Sequence, residues 1–176
     1  DHRDLHSFPT RRSSDLKCWC RRFNSFNKET GMIDLLEKPL CEWTELEAIV
    51  ETIKLWTFLA EDGKNLKKDY FEWHGYRPEP VLSGCFLCEY YFSVKRSAWE
   101  KETGLHLTSV DVCVKFNCCL KDKTLCRFNM EDSAFNIWYE TDIYENPELR
   151  QIAAEKILSA VLNKYKELTG EDYHEK

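Results

Sequence analysis

The stretch Thr44-Glu45-Leu46-Glu47-Ala48-Ile49-Val50-Glu51-Thr52-Ile53-Lys54-Leu55-Trp56-Thr57-Phe58-Leu59-Ala60 decides the fold class. Thr44 and Glu47 have the spacing of a capping box, in which hydroxyl and carboxylate each satisfy a free backbone N–H at a helix start. Leu46, Ile49, Val50, Ile53, Trp56, Phe58 and Ala60 follow, mostly at three- and four-residue steps, which predicts one apolar helix face. Gly63 reads as the stop, through a left-handed conformation after the last turn. A second element of this kind closes the chain. Asn146 is a good N-cap and Pro147 suits the first helical position. Leu149, Ile152, Ala153, Ile157, Ala160, Val161, Tyr165 and Leu168 form its stripe, and Gly170 ends it.

Between these two helices the pattern is weaker. Asp69–Trp73 predicts a short helix or turn, Ser97–Thr103 a short helix ended by Gly104, and Thr108–Phe116 a strand from its partial alternation. Arg77-Pro78-Glu79-Pro80 breaks any helix, because two prolines cannot continue the hydrogen-bond ladder. The lysines Lys64, Lys67 and Lys68 read as a solvated edge. Trp43, Trp56, Trp73, Trp99, Trp138, Tyr90 and Tyr91 read as core or site-shielding residues. The expected architecture is mostly α: two long amphipathic helices flank an irregular, zinc-knuckle-like, cysteine-rich middle with little or no sheet.

Nine cysteines in 176 residues are many. No run of about 18 apolar residues occurs, and the N-terminus lacks the apolar stretch of a secretory signal. A cytoplasmic setting without membrane insertion is the expectation. In that reducing environment clustered thiols bind metal or do redox work more often than they form lasting disulfides. Cys85-Phe86-Leu87-Cys88 is followed by Cys113, Cys118, Cys119 and Cys126. A C-x-x-C turn brings two thiolates within about 2.3 Å of one tetrahedral ion, and later thiolates close the shell. The expected structural zinc site uses Cys85 and Cys88 with two of Cys113, Cys118 and Cys126; Cys119 ranks last. A closed thiolate shell leaves no position for a reactive water, so its role is to cross-link the chain, contributing roughly 10 kcal/mol in small domains. Three other readings stay open: buried small apolar residues, an iron–sulfur cluster, and a redox pair, although the βαβ context of a thioredoxin-like site is missing. Cys18, Cys20 and Cys41 are candidates for a second cluster.

His74 and His106 are isolated and serve at most as substitute ligands. Asp69, Glu72 and His74 could form an acid–base set, but no spacing fixes it. No Gly-rich phosphate loop, nucleophile elbow or H-E-x-x-H motif is present, and the chain is not expected to be an enzyme. The net charge of −6 argues against charge-driven nucleic-acid binding. Lys115, Lys121, Lys123 and Arg127 are the local basic candidates for a zinc-finger-like alternative.

His6–Leu16 resembles the translation of a common short-read sequencing adapter over all eleven residues. Residues 1–16 are therefore expected to be an artefact, disordered and no part of the fold. Residues 17–41 are uncertain for the same reason, with Met32 the first methionine. The expected organisation is a single helical, cysteine-rich, metal-binding domain over 42–170 and a tail over 171–176.

From Ile53 onward, the order of motifs resembles a group of small, uncharacterised proteins of tailed bacteriophages. The matching segments are Ile53–Ala60, Lys67-Lys68-Asp69-Tyr70, Cys85-Phe86-Leu87-Cys88-Glu89-Tyr90, Cys118-Cys119-Leu120, Cys126, Ser133–Trp138 and Pro147–Ile157, so the likeness spans roughly residues 44–168. Two departures stand out. Cys119 occupies a proline position, and Lys115 stands where a cysteine is expected, with Cys113 as its stand-in. The resemblance implies a phage-encoded zinc-binding protein. Taken with the acidic charge, it leads to the expectation of a protein-interaction module whose partner is a host or phage protein.

Overall fold

Thr44 caps the first long helix as its sequence predicts. Its hydroxyl accepts the Glu47 N–H at 3.2 Å while the Glu47 carboxylate accepts the Thr44 N–H. The computed structural model describes residues 42–74, 85–116 and 133–174, all within the compact unit Met32–Lys176. The expectations for residues 1–41, the Arg77–Pro80 break, and Cys118, Cys119, Cys126, Lys121, Lys123 and Arg127 lie outside the described residues.

Every regular element among the described residues is helical, and no strand occurs. Helix α1 spans Glu45–Glu61 and α2 spans Lys67–Trp73. A four-residue α3 (Phe86–Glu89) runs without a break through a π-helical turn (Tyr90–Lys95) into α4 (Arg96–Thr103). Helices α5 (Ser109–Phe116), α6 (Ala134–Glu140) and α7 (Pro147–Thr169) complete the order. The middle is thus not irregular where it is described: 86–103 is one continuous helical rod.

The expected strand at Thr108–Phe116 is a helix. Thr108 and Asp111 form the same reciprocal cap as Thr44 and Glu47, with the Asp111 N–H donated to Thr108 Oγ1 at 3.2 Å and the Thr108 N–H to Asp111 Oδ2 at 2.9 Å. The T-x-x-D signal was present in the sequence, but partial alternation over a short window outweighed it.

Helix α1 lies at the centre. Ala48, Thr52, Leu55 and Leu59 form one buried stripe, and Ile49, Ile53, Trp56 and Ala60 form the next. Helix α7 makes the most extensive contact with it, α6 packs on α7, and α3 packs on α1. The buried stripe of α1 is wider than periodicity implied and slightly rotated: Leu46 is exposed, whereas Leu55 and Leu59 are fully buried. On α7 the buried positions are Arg150, Ala153, Ala154, Ile157 and Val161, while Leu149, Ile152 and Leu168 face outward. Two small alanines let α7 approach α1 closely.

Gly63 does not use a left-handed conformation. Among the described residues the positive-φ glycines are Gly104 (φ 70°) and Gly170 (φ 77°), which end α4 and α7. Gly63 is needed for space instead: a Cβ built on it would lie 1.7 Å from the carbonyl oxygen of Pro147, at the start of α7. The contact is reinforced by Arg150, which is buried. Its Nε donates to the Gly63 carbonyl at 2.8 Å and one terminal nitrogen to the Asn65 carbonyl at 3.3 Å; the other lies 3.4 Å from the Thr141 carbonyl. Its guanidinium also covers the Trp138 ring at 4.7 Å. These carbonyls follow the ends of α1 and α6, where intrahelical donors have run out. One planar fork of donors serves both ends, a geometry that lysine cannot copy.

Gly63→Ala forces backbone against backbone, so the variant is expected to lose about 3 kcal/mol of stability. Gly104→Ala meets nothing within 4 Å and carries only the left-handed strain, about 1–2 kcal/mol. Chemical denaturation of both variants beside the parent checks the order; equal losses would contradict the close-approach argument.

Candidate functional site

The site is built where the 86–103 rod begins, against the middle of α1. Cys85 is the N-cap residue with extended backbone (φ −148°, ψ 171°), and its carbonyl accepts the Glu89 N–H at 3.1 Å. Its side chain makes no capping hydrogen bond. Thr52 on α1 supplies one instead: its Oγ1 accepts the buried Leu87 N–H at 2.9 Å and donates to the Ala48 carbonyl at 2.7 Å. A hydroxyl from a neighbouring helix thus satisfies a donor that local sequence leaves open. Phe86 fixes the direction of entry, stacked on Trp43 with centroids 5.6 Å apart and edge-on to Phe71 at 5.9 Å. The π-helical turn is tied to the start of α1, where the Tyr91 hydroxyl donates to Glu45 and Lys95 pairs with the same carboxylate at 3.6 Å.

Cys85 and Cys88 occupy the N-cap and third positions of this rod, and neither is in a disulfide. Their Sγ atoms are 3.6 Å apart, and the Cys85 thiol donates to Cys88. Cys85 is buried and Cys88 partly exposed. The hydrogen bond to Cys88, followed by burial and the charge of Cys88, holds the Cys85 thiol well above its ordinary pKa. The backbone N–H of Cys88 and the Lys67 ammonium act in the opposite direction and do not offset this.

Lys67 is not part of a solvated lysine edge. Its Nζ lies 5.3 Å from the Trp56 ring centroid, 4.8 Å from Phe135 and 5.0 Å from Trp138. Three rings from α1 and α6 thus surround one ammonium from α2. Trp56 and Trp138 meet edge to face at 5.3 Å, and the indole N–H groups of both are buried without a hydrogen-bond partner. Their negative ring faces are what attract the cation. Lys68, by contrast, is exposed and pairs with Glu72 at 3.5 Å.

The expected zinc site does not assemble. Among the described residues no three His, Cys, Asp or Glu side chains come together so that they could hold a metal ion. The structure brings Cys85 and Cys88 together but does not add Cys113 to them. Cys113 is fixed on α5, whose end packs beside the π-helical turn, with Phe116 stacked on Tyr91 at 6.3 Å. Among the described residues the zinc assignment is accordingly corrected to a dithiol pair.

The weaker candidates have structural roles. His74 packs on Tyr70 with ring centroids 4.3 Å apart, and His106 Nδ1 lies 2.7 Å from Glu100. Asp69 receives the Leu66 N–H at 3.3 Å and Glu72 pairs with Lys68, so Asp69, Glu72 and His74 do not converge as an acid–base set. Lys115 lies 3.4 Å over the Trp99 ring. Trp73 is exposed, whereas Trp43, Trp56, Trp138, Tyr90 and Tyr91 are buried as expected.

Sequence reasoning missed Thr52, Lys67 and Arg150. Arg150 carried a signal: it falls on the stripe 150–154–157–161, where a charged residue is out of place unless it serves buried carbonyls. Thr52 carried a fainter one, a hydroxyl on an otherwise apolar face. No described helix is long and apolar enough to cross a membrane. Compared with known proteins, the chain matches no family model, no curated protein and no solved structure.

Thr52→Val keeps the shape but leaves the buried Leu87 N–H unpaired, and a loss of about 1–3 kcal/mol is expected. Thr52→Ser keeps the hydrogen bond and should lose less; urea unfolding of the pair checks this, and a Ser variant as unstable as the Val variant would count against the role. Lys67→Ala removes the cation from the aromatic box and should cost about 2 kcal/mol. It should also move tryptophan emission to longer wavelength as water reaches Trp56 and Trp138. An unchanged spectrum and melt would contradict the arrangement.

Proposed function

We propose that this chain is a small helical protein-interaction module, acting by binding and not by catalysis, whose docking surface is the corner from Tyr139 to Ile152. One observation carries the reading. Four large apolar side chains stand exposed there: Tyr139 (59%), Tyr144 (83%), Leu149 (39%) and Ile152 (49%). The exposed carboxylates Glu140, Asp142, Glu145 and Glu148 are interleaved with them, and the only basic residue between positions 139 and 152, Arg150, is buried. Single exposed apolar residues are ordinary on a protein surface; a run of them on two capped helices and their connecting turn is not.

The corner is also held in place. Asp142 Oδ1 accepts the N–H groups of Tyr144 and Glu145 at 2.7 and 3.1 Å, and Asn146 Oδ1 accepts that of Leu149 at 3.2 Å. Tyrosine on such a frame gives contact area at little entropic cost, a property of residues that dominate binding energy. The chemistry favours a partner that presents apolar side chains among Lys or Arg. The resemblance to tailed-phage proteins favours a host or phage protein for that role. The acidic character of the corner offers nothing to a nucleic-acid backbone, and Lys115 is engaged on Trp99.

The test is affinity capture from phage-infected and uninfected host extracts with the full chain, beside Tyr144→Ser/Ile152→Ser. Binding of the recovered partner is expected to fall at least about tenfold in the variant and to weaken with added salt. Stability should change by no more than about 0.5 kcal/mol for each exposed site. Equal recovery by parent and variant would refute this surface as the interface.

A further inference from the structure

We infer that Cys85 and Cys88 form a reversible thiol–disulfide couple, with Cys88 as the attacking sulfur and Cys85 as the resolving one. The inference does not depend on the interaction surface, since it concerns a different segment of the sequence and a different kind of chemistry. It rests on placement. The two sulfurs are 3.6 Å apart across one turn at the start of the 86–103 rod. Residues three apart along a helical turn are neighbours on one face, so closing the bond draws two sulfurs already 3.6 Å apart to about 2.05 Å. Packing holds the start in place from three directions: Thr52 on the Leu87 N–H, Trp43 on one side of Phe86 and Phe71 on another.

Exposure and hydrogen bonding assign the roles. Cys88 is partly open to solvent and accepts the Cys85 S–H, while Cys85 is buried. A disulfide reagent therefore meets Cys88 first. The raised pKa of Cys85 agrees with its keeping its proton until the second step.

The oxidant is a low-molecular-weight disulfide of the glutathione class. The Cys88 thiolate attacks one of its sulfurs, a mixed disulfide forms, and one thiolate leaves. Cys85 then loses its proton to solvent and attacks the Cys88 sulfur, forming the Cys85–Cys88 bond and expelling the second thiolate. Two electrons pass from the cysteine pair to the reagent, which is reduced to two thiols, and the reverse sequence with two thiols regenerates the pair. The Lys67 ammonium, which acts on Cys85 electrostatically, favours the thiolate that must form in the second step.

The full chain, first reduced, is equilibrated in reduced and oxidised glutathione at a series of ratios, quenched in acid, alkylated and digested with trypsin. Both cysteines fall on one peptide, Asp69–Lys95, because Arg77 precedes Pro78. The expected product is that peptide with an internal disulfide, formed in proportion to the oxidised fraction and reversed by reduced glutathione. Cys85→Ala keeps a small apolar side chain in the core and should accumulate glutathione on Cys88. Cys88→Ser should slow modification of Cys85 at least about tenfold, since access and the thiolate fraction set the rate. Circular dichroism of each variant confirms that it is folded before it is scored. Cys88 linked chiefly to another cysteine of the chain, a pair that stays reduced while Cys113 oxidises, or Cys85→Ala without a mixed disulfide would each overturn the inference.

Discussion

Helix α1 is buried on two adjoining stripes, and this draws the ends of its neighbours into the interior. A helix end carries backbone groups with no partner inside the helix. On a surface, water meets them; against α1 it cannot. The protein answers with two side chains that belong to other elements. Thr52 gives the 86–103 rod an acceptor for the Leu87 N–H, and Arg150 gives donors to the carbonyls that follow α1 and α6. Both sit among apolar neighbours, where an unmet polar group is most costly.

The same geometry explains the aromatic box. Trp56 lies on the buried side of α1, and Phe135 and Trp138 come from α6, so their faces converge where α2 begins. Lys67 at the first position of α2 reaches in with its ammonium. Arg150 covers Trp138 as well. Two cations from different elements thus share one indole, coupling the α1–α2 turn to the packing of α6 and α7. Gly63 lets the start of α7 come close enough for this, since any larger residue would strike the Pro147 carbonyl.

The thiol pair benefits from being set at a helix start that other elements hold. Positions of Cys85 and Cys88 follow from the N-cap geometry, and the Thr52 hydroxyl and the Phe86 contacts limit how that start can move. Further along the chain, the Tyr139–Ile152 corner is held by local hydrogen bonds to Asp142 and Asn146.

Much of the helical skeleton was legible from local signals. The Thr44–Glu47 box, the Asn146-Pro147 start and the Gly104 and Gly170 stops act within one turn of chain, so their physics does not need a partner. The Thr108–Asp111 cap belonged to the same class and was outweighed by a misleading alternation. The proximity of Cys85 to Cys88 was also local, since three residues across a helix start set it. What remained hidden was non-local. Which face of α1 is buried, why Gly63 is glycine, what Lys67 covers and what Arg150 serves all depend on elements distant in sequence. The zinc expectation meets the same limit among the described residues: spacing along the chain brings two thiols together in one turn, but whether a third joins them depends on how helices pack, and Cys113 on α5 does not complete a metal-holding group with the pair.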